Sequence, residues 1–338
     1  MRLARLTAPT LFALGLLAVP LAAKAQTSGT VYRVGILLTI QERYPETETA
    51  IDKAFVEDLR GHGYIVGENI VIEARSAAGK LERLPELAAE LVRLKCDVIL
   101  APTTPPALAA RQATTTIPIV SMAAADLVGV GLAASLAKPG GNVTGISVVP
   151  GEDYFGKHIQ LLAEAVPKTK RIAILRHVPN PGTAVLATHA QRAAEKLGLT
   201  ARLIEFGKPD ELESAFVATS QWRADALFVI GDVIFNLSVP GGPGRRLLTL
   251  AAEYRLPAMY WGREMVAMGG LMAYAVDYRD LNRRVAGYVA KLLSGAKAAE
   301  LPIEQPTKFQ FVINLKTAKA LGLTIPPAVL ARADEVIE

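Results

Sequence analysis

The 338-residue chain is poor in cysteine, histidine and aromatic residues, and each shortage removes a class of function. A single cysteine, Cys96, cannot close a disulfide within the chain, build a cysteine-based zinc site or supply the thiol pair of a two-cysteine racemase on duplicated α/β lobes. Lying between Lys95 and Asp97 at an expected helix-to-strand junction, it reads as a small buried filler. The four histidines, His62, His158, His177 and His189, are scattered. No G-x-G-x-x-G follows the first strand, and no G-x-x-x-x-G-K-[ST], H-E-x-x-H or G-x-S-x-G occurs, so phosphate cradle, zinc helix and nucleophile elbow are missing together. No enzyme, cofactor, metal or direct ATP site is expected.

Long apolar runs are equally scarce. The stretch Leu11 to Ala23 is broken by Gly15 and Pro20 and is shorter than the roughly 18 to 20 residues that cross a bilayer. Preceded by Arg2 and Arg5 and ending in Ala23-Lys24-Ala25, it reads as a secretory signal peptide over residues 1–25, cut near Ala25-Gln26. No cysteine follows the cut to carry a lipid, so a freely diffusing periplasmic protein is expected. The isoelectric point of 9.2 suggests a nucleic-acid binder until the leader is set aside. That leader holds three of the 37 basic residues and none of the 32 acidic ones, which leaves a nearly neutral chain and no nucleic-acid partner.

What is present is a 51 % apolar content, enough for folded cores, arranged as short aliphatic runs alternating with longer segments of helical period. Strands are predicted at Tyr32 to Leu38, Asn69 to Ala74, Asp97 to Leu100 and Ile117 to Val120. Helices are predicted from about Glu46 to Arg60, along the stripe Leu81, Leu84, Leu87, Leu91 and Leu94, and over Pro105 to Ala113. After Ser147 the same grammar restarts. Phe155, Ile159, Leu162 and Val166 mark a helix, and strands follow at Arg171 to Leu175, Ala201 to Phe206, Ala226 to Ile230, Pro257 to Tyr260 and Leu271 to Ala275. A later helix carries Leu281, Val285, Tyr288 and Leu292. The expected fold is α/β, with two Rossmann-like parallel-sheet lobes joined by a multi-strand hinge. Residues 31–147 with 276–300 are assigned to one lobe and 148–275 with 301–338 to the other. Open α/β sheets bind ligands beyond the carboxyl ends of their strands, so facing lobes make a clamp that closes by hinge motion.

The strand-end loops carry small polar residues suited to a small ligand. Thr39 ends the first strand, Thr103-Thr104-Pro105 the third, and Asp126 follows the fourth. Threonine hydroxyls and helix N–H groups suit a carboxylate, and an aspartate suits an ammonium. Thr104 reads equally well as a helix cap before Pro105. In the second lobe Asn180, Asp232 and the run Trp261-Gly262-Arg263-Glu264 hold the equivalent places. Asp232 is read with equal weight as ammonium holder or as a loop cap or solvent-facing acid, Arg263 and Glu264 as a pair in preference to reaching into the cleft, and His177, just after a strand end, as a surface histidine in preference to one facing the cleft. Tyr44, Tyr154, Phe235, Trp261 and Tyr274 are candidate stacking partners. The Gly- and Pro-rich segment Ser238 to Arg246 reads as a surface loop rather than a mobile rim.

Several blocks are recognisable. They are Leu59-Arg60-Gly61-His62-Gly63-Tyr64, Leu84-Pro85-Glu86-Leu87-Ala88-Ala89-Glu90-Leu91-Val92, Ala137 through Gly145, Gly269-Gly270-Leu271-Met272, and Gln305-Pro306-Thr307-Lys308-Phe309 running on to Ala318. Through them residues 31–338 resemble the substrate-binding proteins of the tryptophan-type ABC transporter family, whose fold is the type I periplasmic binding protein. The resemblance implies a monomeric periplasmic receptor that traps a small, amino-acid-like or aromatic solute and delivers it to an inner-membrane permease. A sensory receptor reporting to a membrane signalling protein is the alternative. Within the family's pattern, Gly-Thr-Pro-Ala is here Thr103-Thr104-Pro105-Pro106, Gly-Gly-Asp-Pro is Ala124-Ala125-Asp126-Leu127, and Tyr-Gly is Tyr274-Ala275. Thr39, Thr104, Asp126, Asn180, Asp232 and Tyr274 are the ligand-binding candidates.

Overall fold

The computed structural model describes residues 30–40, 53–148, 152–235, 237 and 241–338. The leader over 1–25, Tyr44, the first part of the helix expected from Glu46, and Ser238 to Pro240 lie outside the described residues. None of the described helices is long and apolar enough to cross a membrane.

From the first residues the chain lays down β1 (Tyr32–Leu38), α1 (Lys53–Gly61), β2 (Ile70–Ser76), α2 (Leu84–Arg93), β3 (Val98–Leu100), α3 (Thr104–Ala113), β4 (Ile119–Ala124) and β5 (Val143–Ser147). These strands form one parallel sheet in the order β2-β1-β3-β4-β5. The leucine stripe predicted as one helix is split. Leu81–Arg83 is a single 3-10 turn and α2 starts at Leu84, because Pro85 in its first turn has no N–H for a preceding carbonyl and its ring fits only a helix start.

The second half supplies α4 (Glu152–Ala165), β6 (Arg171–His177), α5 (Gly182–Lys196), β7 (Thr200–Phe206), α6 (Leu212–Gln221), β8 (Ala226–Val229), α7 (Pro243–Glu253), β9 (Ala258–Tyr260), α8 (Arg263–Ala267) and β10 (Met272–Val276). Then come α9 (Tyr278–Leu293), β11 (Phe309–Asn314), α10 (Leu315–Ala320), α11 (Pro327–Leu330) and β12 (Glu335–Ile337). The second sheet runs β12-β11-β10-β9-β8-β6-β7, parallel throughout except where β11 returns antiparallel to β10. Its β7-β6-β8-β9-β10 portion repeats the order of the first sheet.

Each sheet is covered on both faces, as a parallel sheet requires. In the first, Phe55 and Leu59 of α1 and Leu281, Val285 and Val289 of α9 bury one face, while Leu87 and Leu91 of α2 and Ala107 and Ala110 of α3 bury the other. Cys96 is part of that second layer and 4 % exposed; burial, with Glu73 nearby, pushes its thiol up to about 11. In the second sheet α4 and α5 cover one face, and α6, α7 and α8 the other.

The chain passes between the sheets three times. It leaves the first after β5, returns between β10 and α9, and leaves again only after Glu304. The boundary expected at residue 300 therefore falls a few residues early. Leu301 to Glu304 run beside β5, with Thr144 Oγ1 donating to the Leu301 carbonyl at 2.8 Å and Ser147 N to the Glu304 carbonyl at 2.9 Å, and Ile303 is buried among α2 and α3 residues. The second and third passages are tied together: Asp277 N donates to the Lys308 carbonyl at 3.1 Å, and Lys308 Nζ reaches Asp280 at 2.7 Å.

Candidate functional site

In a sheet of order 2-1-3-4-5 the strand connections diverge between the first and third strands, which opens a crevice at their carboxyl ends. Here those ends are β1 and β3 in one sheet and β6 and β8 in the other. The residues beyond them face each other across a cavity of about 560 Å³, within the range of small-molecule sites. Its walls are mostly apolar and aromatic.

The first sheet contributes short side chains. Thr103 precedes α3 in extended backbone and Thr104 opens it. Pro105 and Pro106 follow, so the first turn of α3 loses two of the N–H groups a helix start normally offers. Thr104 Oγ1 accepts from Ala125 N at 2.9 Å, which leaves its proton free to donate. Ala123 and Ala125 complete this side, and Tyr278 and Asn282 of α9 reach the cavity from the same lobe.

The second sheet contributes rings and charge. His177, at the end of β6, is 6 % exposed, stacks on Phe206 with centroids 5.2 Å apart, and places Nδ1 3.3 Å from Asp232 Oδ2. The surface position expected for it is therefore wrong. Burial against Phe206 and a carboxylate from the neighbouring strand end hold it inside. Asp232 Oδ2 also accepts from Asn180 Nδ2 at 2.9 Å, and its Oδ1 accepts from Ile234 N at 2.9 Å. Asn180 Oδ1 in turn accepts from Gly182 N at 3.0 Å. Asp232 thus pins two loops together, with its side chain only 2 % exposed.

Two glycines let these loops approach. A Cβ at Gly182, the first residue of α5, would stand 2.7 Å from Thr104 Oγ1 and 3.0 Å from the Ala125 Cβ. Here the two lobes touch. A Cβ at Gly231 would stand 2.8 Å from Trp261 Cγ, so the absence of one lets that indole lie along the cavity wall.

Next to the cavity, and bordering it through Tyr154 and His158, is the aromatic cluster of the hinge. Tyr154 follows the first passage, Tyr274 precedes the second and Phe309 follows the third. Tyr274 stacks on Phe309 at 5.3 Å and 13°, and Tyr154 lies 5.6 Å from Phe309. His158, one turn after Tyr154, sits 4.3 Å from the Tyr154 ring and 5.2 Å from Tyr274, with Nδ1–H donating to the Tyr154 carbonyl at 2.8 Å. Burial pulls its pKa down to about 4 despite that bond and one to the Tyr274 backbone. His158 is neutral at physiological pH.

Of the six candidates, Thr104, Asn180 and Asp232 line the main cavity and three do not. Thr39 is buried beside Thr103, their Oγ1 atoms 3.4 Å apart, and borders a much smaller void. Asp126 caps its own turn, Oδ1 accepting from Val128 N at 3.1 Å and Gly129 N at 2.9 Å. Tyr274 is spent on Phe309. The expected Arg263–Glu264 pair is replaced by a two-pronged Arg263–Glu335 pair with both contacts at 2.6 Å, while Glu264 turns to the cavity. Phe155, Phe228, Tyr278 and Asn282 are lining residues that the sequence reading passed over. Phe155 and Phe228 carried a signal only for core, since a ring on the inner face of a helix or strand looks the same whether it borders a void or not.

Residues 44–337 match the family described as ABC transporter substrate binding protein. A tyrosine-binding protein of Clostridioides difficile (strain R20291) is 28 % identical over 273 residues, 80 % of this chain and 76 % of that protein. The crystal structure of an ABC domain in complex with L-Trp from Streptococcus pneumonia superposes with a TM-score of 0.82 at 26 % identity, covering 91 % of this chain and 100 % of that one. A ligand-free, open structure of a substrate-binding protein with adhesive properties from Clostridium difficile gives 0.63 at 25 % identity, covering 91 % and 99 %. At equal coverage and nearly equal identity the fold agrees better with the ligand-bound protein than with the open one.

Proposed function

Because the chain belongs to the family of ABC transporter substrate-binding proteins, we propose that it captures an aromatic amino acid between its two lobes and hands it to a membrane permease. The family binds its ligands and does not transform them, so the chain is a binding protein and not an enzyme. On this reading it works outside the cytoplasm as a monomer, released by cleavage near Ala25-Gln26, and the lobes rotate about the three passages to close on the ligand.

The observation that carries the proposal is the cavity itself. About 560 Å³ exceeds the needs of an aliphatic amino acid, and its walls offer Tyr154, Phe235, Trp261 and Tyr278 to a ring. The hydroxyls of Thr103 and Thr104 stand where α3 has lost N–H groups to proline and are assigned to the ligand carboxylate, with Asn180 beside them. The better agreement with the L-Trp complex supports a closed, ligand-competent arrangement. Tyr154 and His158 border both cavity and hinge cluster, so a ligand resting on them biases the hinge directly.

The test is thermal unfolding of the chain from Gln26, refolded to strip captured solute, with tryptophan, tyrosine, phenylalanine and aliphatic amino acids. A ligand at 100 times its Kd adds about 2.7 kcal/mol and raises Tm by several degrees. A rise with one or more of the aromatic amino acids is expected, and no rise with any of the three would overturn the ligand assignment.

A further inference from the structure

Two acidic side chains line the cavity, and they are in opposite states. Asp232 is saturated: Asn180 Nδ2, Ile234 N and His177 Nδ1 surround its oxygens, and an ammonium would have to displace one of them. Glu264 is bare. It is an exposed residue of α8 that forms no hydrogen bond or ion pair among the described residues; its sequence neighbour Arg263 feels its charge but is held by Glu335. Its Oε2 overlies Gly262, another lining residue, 3.2 Å from where a Cβ would stand. Its charge is felt across the cleft by Tyr278 of the first lobe, a residue 40 % exposed whose hydroxyl is pushed up to about 12 by desolvation and by Glu264. Tyr278 in turn acts on the Tyr154 hydroxyl. One end of the cavity therefore brings together an unpaired carboxylate, two phenols and, through Gly262, the Trp261 ring. A carboxylate beside aromatic faces is the chemistry that holds an organic cation. Among the described residues no lysine or arginine lines the cavity to compete for it.

We propose that Glu264, and not Asp232, is the counter-charge for a ligand ammonium, and that the cavity selects solutes bearing a protonated amine. This rests on the receptor reading given above but not on the ligand being aromatic. In this arrangement Glu264 of the second lobe and Tyr278 of the first both line the cavity, so the amine is enclosed by one acid from one lobe and one ring from the other.

The experiment is calorimetric titration of wild type, Glu264→Gln and Glu264→Asp with three compound sets. These are aromatic and aliphatic amino acids, the corresponding amines lacking the carboxylate, and the corresponding acids lacking the amine. Glu264→Gln should weaken every amine-bearing ligand by on the order of tenfold to a hundredfold, leave the acids unchanged, and keep the unliganded Tm. Glu264→Asp should recover part of the loss. Amine-bearing ligands that bind Glu264→Gln as tightly as wild type would overturn the assignment while leaving the receptor reading intact. Wild-type binding restricted to the amine-free acids would overturn it too. Selective loss of aliphatic amines, with no aromatic ligand bound by wild type, would support Glu264 and refute the aromatic ligand instead.

Discussion

The two lobes share one strand order and meet the ligand with different chemistry. At the ends of β1, β3 and β4 stand Thr103, Thr104, Ala123 and Ala125, small residues joined across loops by a single Thr104–Ala125 bond, while Asp126 caps only its own turn. Beyond β6, β8 and β9 stand rings, an amide and two acids, with Asp232 bonded between loops more than fifty residues apart in sequence. The topology is what a switch-point cleft needs, and it is indifferent to what lines it. The second lobe thus holds the recognition chemistry on a cross-braced platform. The first offers fewer and smaller groups: the Thr103 and Thr104 hydroxyls at the start of α3, and Tyr278 and Asn282 of α9.

Three perturbations would break or sharpen that contrast. The largest effect is expected from Asp232→Ala, which leaves two or three buried donors unpaired and should cost about 4 kcal/mol of stability in urea denaturation. Asp126→Ala, in the matching loop of the first lobe, removes only a local turn cap and should cost about 1 kcal/mol. Equal losses would erase the distinction between a braced and a self-contained mouth. The next concerns His158. Its folded pKa near 4 lies below the ordinary 6.5, so the unfolded chain binds a proton the folded one refuses. Stability should therefore fall as pH drops from about 6.5 to 4, by about 3 kcal/mol, and change no further below that on this account. His158→Gln should flatten this part of the profile, and an unchanged slope would remove His158 as its source. Gly182→Leu is expected to act less than either Asp232→Ala or the His158 titration, and only on closure. With a side chain meeting Thr104 and Ala125, the closed form should cost about 2 kcal/mol more and affinity fall roughly thirtyfold, with unliganded Tm unchanged. Unaltered affinity would show that this contact does not form in the bound state.

Much of this was legible in the sequence, for identifiable reasons. Strands of the first and second sheets announce themselves as buried aliphatic runs between helical stripes, and the strand-end loops follow from that alone. What escaped was short or paired at a distance. Only three residues long, β12 has no period to detect, and α8 has only five. Arg263 and Glu264 adjoin in sequence but are separated by about 100° around a helix, and Arg263 finds its partner 72 residues later. Nothing local to His177 reveals Phe206 above it or Asp232 beside it. Tyr274, read as a strand-end aromatic, is instead the middle residue of β10 and faces Phe309 only because β11 turns back antiparallel, the one reversal in an otherwise parallel sheet.

The lone thiol under the first sheet makes the molecule a ready reporter. Cys96 is packed against α2 with its pKa near 11, so at pH 7 roughly one molecule in ten thousand carries the thiolate that maleimides and other alkylating dyes attack. The native protein should react slowly with such reagents. A cysteine placed on the rim, at Tyr278 or Arg263 for example, would be the principal labelled position, and a fluorophore there would read lobe closure in solution with little background to subtract.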